Sequence, residues 1–194
     1  MKTLTLYIQS SSERTHLSAC VCIGGDGKRF KTIYAIKGVK RTHNELPGCP
    51  EGVQYIMTEK GYFDEASFEK YINFLIDQLP PKEVDPRWRL LIFDGYGPHT
   101  MVYSTVKLLH DNRIHAVCMP SHTSQILQPL DVACFSPVKR CFKRDLRDCQ
   151  FTVGPDGVGK WYLPGIFEFG LESGCSSKNI ISGFEKCGLI SQQQ

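Results

Sequence analysis

The sequence predicts an α/β domain, a mixed sheet flanked by helices, and three observations carry that prediction. Over residues 2–37 apolar and polar side chains alternate with a period of two, broken by a glycine-rich turn, which is the pattern of antiparallel strands. From residue 64 the apolar period lengthens to three and four, the spacing of one helix face. Residues 90–93 and 114–119 are then two short apolar runs with a helix-length segment between them, as in a strand, helix, strand unit. At 194 residues and 41% apolar content the chain can bury a sizeable core, and it reads as a single domain.

In order, residues 2–8 alternate Leu4, Leu6 and Ile8 against Thr3, Thr5 and Tyr7, a strand without a carboxylate. Residues 16–24 place Leu17, Ala19, Val21 and Ile23 on one face, Gly24-Gly25-Asp26-Gly27 makes a hairpin turn, and residues 29–37 return with Phe30, Thr32, Tyr34 and Ile36 aligned. Asp26 is a turn residue on this reading, because Asp-Gly suits the positive φ of a tight hairpin. Residues 38–61 turn to Gly, Pro, Asn, Thr and charge and are expected to be an irregular surface excursion. Phe68, Tyr71, Ile72, Leu75, Ile76 and Leu79 form the stripe of a helix capped by Asp64 and stopped by Pro80-Pro81; capping accounts for Asp64 and Glu65 better than a role as an acidic pair.

Residues 90–93 suit a central strand covered on both faces, and the Gly95-Tyr96-Gly97-Pro98 turn leaves Asp94 at its C-terminal edge, where α/β sheets place ligands. A helix over residues 100–112 follows, with Val102, Val106 and Leu109 inward, and residues 114–119 make a short buried strand. Gln128-Pro129-Leu130-Asp131 reads as a helix start, with Pro129 near the first helical position and Asp131 in the first turn. Ser136-Pro137 opens a further helix to about residue 149, with Val138, Cys141, Phe142, Leu146 and Cys149 on its apolar side. Lys139, Arg140, Lys143, Arg144 and Arg147 fall on one basic arc, which is either a phosphate-contacting surface or a solvated face bordered by Asp145 and Asp148. In the tail Ser177 caps a last helix carrying Ile180, Ile181 and Phe184, and Gly188 ends it.

The net charge of +3 does not by itself signal nucleic acid, so local clustering must carry that case. No apolar run reaches the length of a membrane span and residues 1–12 lack a secretory h-region, so no membrane partner is expected and the chain reads as intracellular, not secreted. Nine cysteines include no CxxC pair; they are expected to be reduced, mostly buried thiols, and zinc is not expected.

FDGYGPH followed by MPSHTSQILQPLDVACFSPVKR closely resembles the second and third acidic motifs of the DDE endonuclease domain of pogo-type transposases and of the Tigger, jerky and centromere-protein-B-like host proteins. The likeness spans residues 13–190, and NIISGFEKCGLI resembles the segment after the family's catalytic core. It implies a ribonuclease-H-like fold, which the order of elements suggests independently. It also implies DNA as partner, a nuclear location, a possible homo-oligomer, and two divalent cations, Mg²⁺ or Mn²⁺, held by three carboxylates. Asp94 matches the second carboxylate and Asp131 the third, as catalytic and metal-holding residues; His99 matches a family histidine. His99 and His122 are expected either to orient ligands or water around the metals or simply to serve local structure.

No acidic residue precedes Glu13, so the first carboxylate is missing and the family's first strand is read as lost or degenerate. Residues 1–150 are accordingly expected to be the DDE core and residues 151–194 a helical extension of the same domain. The function expected is DNA binding with strand cleavage and transfer lost. The alternatives are an active endonuclease, drawing a carboxylate from Glu13, Asp26 or another subunit, and a domesticated protein-interaction module.

Overall fold

A computed structural model describes residues 2–9, 14–39, 46–93, 102–120, 122–154 and 158–191. Strand β1 (Lys2–Gln9) pairs antiparallel with β2 (Arg14–Val21), in a register running from Lys2 against Val21 to Gln9 against Arg14. The chain then turns as its glycines require. Gly27 has φ +85°, its N–H donates to Gly24 O at 3.0 Å, and Asp26 Oδ1 accepts the Lys28 N–H at 3.0 Å. Strand β3 (Ile33–Lys37) returns antiparallel to β2, with Ser18 opposite Ala35.

Residues 38–61 are not wholly irregular: β4 (Gln54–Thr58) adds to β3 in parallel, Ile33 opposite Gln54, and makes the sheet mixed. This strand has too few residues and too little alternation to announce itself; pairing with β3 and burial of Tyr55 against Trp161, ring centroids 5.5 Å apart, hold it instead.

Helix α1 (Glu65–Ile76) starts as expected. Asp64 Oδ1 accepts the Ser67 N–H at 2.9 Å while Ser67 Oγ accepts the Asp64 N–H at 2.7 Å, so a capping box satisfies two end donors. Strands β5 (Arg89–Phe93) and β6 (Ile114–Cys118) pair in parallel through α2 (Tyr103–Asp111), forming a second, two-stranded sheet. Two expectations fail here. Strand β5 is buried on one face only, with Leu91 8% exposed but Leu90 62%, and β6 likewise turns Val117 outward. In α2 it is Thr105 and Leu109 that point inward, while Val106 is exposed. The reason is the same in each case: helices cover the inner side of this sheet, and outside it Trp88 stacks on His115, centroids 4.2 Å apart, and lies tilted against His110.

After α3 (Ser124–Leu127) the chain makes a π-helical turn (Leu130–Cys134) that runs directly into α4 (Phe135–Val153). Ser136-Pro137 therefore opens no new helix. Proline has no N–H to offer the carbonyl four residues back, and a widened turn just ahead of Pro137 is where a helix absorbs that mismatch. Helix α5 (Leu163–Gly174), unannounced by the sequence, and α6 (Ser177–Lys186) complete the described fold. The cap of α6 is Ser176, not Ser177, and accepts the Asn179 N–H at 3.3 Å. Gly188, at φ +68°, closes α6: its N–H donates to Glu185 O at 2.9 Å and that of Leu189 to Phe184 O at 3.0 Å.

The architecture is thus α/β, with a mixed sheet flanked by helices. One face of the four-stranded sheet, through Leu17, Tyr34 and Ile36, packs on Val138, Phe167, Leu171 and Ile180 of α4, α5 and α6. The other face, through Cys20 and Ile33, packs on Tyr71 and Ile72 of α1 and on Leu91, Phe93 and Leu109. Glu168 of α5, 2% exposed, is paired inside the first cluster with Arg29 at 2.8 Å and accepts the hydroxyl of Tyr34 at 2.8 Å. Burial first, and the Glu168 charge second, push the Tyr34 hydroxyl pKa well up, so it stays a donor.

Candidate functional site

The π-helical turn positions Asp131. Leu130 and Cys134, one turn apart, are both buried, which leaves Asp131 half-exposed between them. Pro129 sits one place earlier than expected, as the residue before the turn, and Asp131 occupies its first turn as expected. The turn is braced from behind by α6, where a Cβ at Gly183 would come within 2.8 Å of Pro129 O. It is braced from the side by α5, where a Cβ at Gly174 would meet Cys134 O at 3.0 Å.

Asp131 shares an open polar recess of about 570 Å³ with His122, Ser124 and Gln125. His122 has φ +62°, a left-handed conformation, and the turn around it is clamped: Thr123 Oγ1 donates to Pro120 O at 2.7 Å, and the N–H groups of Ile126 and Leu127 both donate to Thr123 O at 2.9 Å. Ser124 and Gln125 lie inside the quoted PSHTSQ string, but only the fold reveals them as neighbours of Asp131.

Asp94 and His99 lie outside the described residues. What is described is the approach to them: β5 ends at Phe93, whose carbonyl accepts the Met119 N–H at 2.9 Å, so the C-terminal ends of β5 and β6 lie together where the segment leading to His122 and Asp131 departs. A divalent cation of the implied kind asks for several oxygen ligands. The described recess offers one carboxylate, and among the described residues no three His, Cys, Asp or Glu side chains converge to hold a metal. The described residues therefore do not fit such a cation by themselves, and no chemical step is derived through one. The cysteines form no disulfide among the described residues, and burial pushes the Cys49 thiol up to about 12, keeping it protonated.

Beyond the π-helical turn, α4 carries its two faces as the sequence suggests. Val138 and Phe142 are buried, Cys141, Leu146 and Cys149 are half-buried, and Lys139, Arg140, Lys143, Arg144 and Arg147 are all exposed. Arg144 Nε is paired with Asp145 at 2.8 Å; the other four make no ion pair among the described residues. At about 1.5 Å per residue the arc begins on the order of 12 Å along the axis from Asp131.

Comparison with protein families identifies one. Residues 13–156 match the model of the DDE superfamily endonuclease family. A curated protein of Cochliobolus lunatus named "MFS-type transporter clz9" is 31% identical over 137 residues, which is 71% of this chain and 15% of that protein. The chain thus spans well under a fifth of the length of that relative. No helix among the described residues is long and apolar enough to cross a membrane. No solved structure matches the chain. The family match covers Asp131, the recess and the whole basic arc together, and by it this chain belongs to the DDE superfamily endonuclease family.

Proposed function

We propose that the chain is a pogo-type, transposase-derived DDE-domain protein that binds duplex DNA in the nucleus without sequence preference and does not itself cut or join strands. The observation that carries the reading is the arc of five exposed basic side chains on α4, directly continuous with the turn that presents Asp131. Phosphate neutralisation by such an arc supplies affinity but no sequence information. Residues 151–194 belong to the same domain, since Phe167, Leu171 and Ile180 share a cluster with β2 and β3.

Loss of cleavage follows from the ligand count. Asp94 and Asp131 are the two carboxylates of these residues that match the family motifs, and the third has no match among them. Asp26 is engaged in its hairpin turn, and residues 2–8 contain no carboxylate. Without a bridging carboxylate, two cations cannot both be fixed where the attacking and departing oxygens need them.

The test measures binding to a short fluorescent duplex across a salt series, alongside a plasmid-nicking assay in Mg²⁺ or Mn²⁺. Binding is expected to fall steeply with salt, and Lys143→Glu with Arg144→Glu to weaken it at least about tenfold; nicking is expected to be absent. Failure to bind at low salt would favour an interaction module. Nicking abolished by Asp94→Ala and by Asp131→Ala would establish the active endonuclease instead.

A further inference from the structure

We propose that His122 contacts the phosphate backbone directly, its imidazole donating to a phosphodiester oxygen of the nucleic acid drawn into the Asp131 recess. This rests on the DNA-binding reading above and assigns that contact to one residue.

The first observation is conformational. At φ +62° the Cβ of any side chain crowds the backbone, and such positions ordinarily go to glycine, as Gly27, Gly48, Gly52, Gly61, Gly154 and Gly188 show in this chain. Among the described residues only Arg113 and His122 break that habit. Arg113 has a structural reason to be there, because its guanidinium ties the turn to Pro86 O at 2.5 Å. His122 has none: its exposed imidazole makes no hydrogen bond, ion pair or ring contact with the described residues. The clamp of Thr123 on Pro120 would shape the same turn around glycine. A strained position that keeps an exposed side chain with no partner among the described residues leaves that side chain available to a ligand.

The second observation is where the imidazole stands. It shares the recess with Asp131, the one carboxylate in the described lining, beside the neutral groups of Ser124 and Gln125. A phosphate attracted by α4 meets repulsion from Asp131 as it nears the recess. A donor N–H on the rim offsets that repulsion, and imidazole keeps one even when neutral. Serine and glutamine can add hydrogen bonds from the same side.

The experiment compares the unmodified chain with His122→Gly and His122→Asn, reading thermal midpoint and affinity for a short fluorescent duplex at low salt. Glycine relaxes the backbone, so its midpoint is expected to be unchanged or higher while affinity falls about tenfold, the scale of one hydrogen bond to a charged group. Asparagine tolerates the left-handed region and keeps an N–H donor, so it should recover part of the loss. A glycine variant that binds as tightly as the unmodified chain would overturn the proposal, as would one that loses midpoint and affinity together, which marks a structural role. An asparagine variant no tighter than glycine would also overturn it. If the unmodified chain does not bind, the DNA reading itself fails and this proposal with it, an outcome distinct from all of these.

Discussion

The two faces of the four-stranded sheet are covered by different means. On the side of α4, α5 and α6 backbones approach closely: a Cβ at Gly174 would lie 2.7 Å from the Val138 nitrogen, and one at Gly183 2.8 Å from Pro129 O. An ion pair joins half-buried Arg29 to buried Glu168 in the same layer. On the other side α1 and the β5–β6 pair are attached chiefly through the side chains of Phe68, Tyr71, Leu91 and Phe93, and the outer surface of β5–β6 keeps Leu90, Val117 and Trp88 exposed. A cavity of about 170 Å³ lies along β5, lined by Cys22, Phe30, Leu91, Pro129 and Phe184. Asp131 thus stands on the tightly fitted side, whereas β5, which leads to Asp94, is held by one face. Damage to the first side should be felt by the whole fold, and damage to the second should stay more local.

The largest effect is expected from Arg29→Ala. It leaves the Glu168 carboxylate, 2% exposed, with the Tyr34 hydroxyl as its remaining described hydrogen-bond donor, and an uncompensated buried charge costs about 3–5 kcal/mol. Urea unfolding at neutral pH measures it. A loss under about 1 kcal/mol would mean that water reaches Glu168 and that this side is less tightly sealed than its packing implies. Arg29→Ala with Glu168→Leu should recover much of the loss, because the hydrocarbon replaces the stranded charge.

A paired substitution on β5 sharpens the contrast between its faces. Leu91→Ala removes a buried side chain and is expected to cost about 2–4 kcal/mol, while Leu90→Ala next to it should fall within about 0.5 kcal/mol. Thermal midpoints in the same buffer suffice. Equal effects would show that something covers the outer face of β5 in solution.

These contrasts also mark what could be read from the chain alone. Period-two alternation exposed β1, β2 and β3, because one-sided burial writes itself into such strands. The Asp64 cap was legible because capping is local chemistry, and the α4 arc because helical spacing needs no tertiary information. The uninterrupted run at residues 90–93 misled, since apolarity on both faces does not say whether the second face finds a cover. Helix α5 was hidden by Gly165, Gly170 and Gly174, poor helix formers that are tolerated because α4 and the loop at Pro47 come so close. Of the site, Asp131 was legible from its motif. Its recess was not, because the left-handed turn at His122 depends on a clamp between Thr123 and Pro120 that no spacing rule announces.

The smallest effect tests whether the second side is as separable as its packing suggests. Asp64 caps α1, and α1 touches neither the Asp131 recess nor the basic arc of α4 through the contacts described above. Asp64→Ala should cost about 1 kcal/mol at neutral pH, the usual worth of such a cap. The hydrogen bond from the Ser67 hydroxyl, and then its backbone N–H, hold the Asp64 carboxyl below the ordinary carboxylate range. A group depressed in the folded state stabilises it above the unfolded pKa of about 3.9. That contribution is lost as pH falls through the lower, folded value. The stability gap between Asp64→Ala and the unmodified chain should therefore be full at about pH 7 and narrow progressively below about pH 4. Urea midpoints at several pH values follow this, and a gap that stays constant into acid would mean that Asp64 acts through packing and not as a charged cap. In the same samples at neutral pH, duplex affinity should be unchanged; a loss of binding in Asp64→Ala would show that the two sides of the sheet are coupled and that the separation drawn between them is wrong.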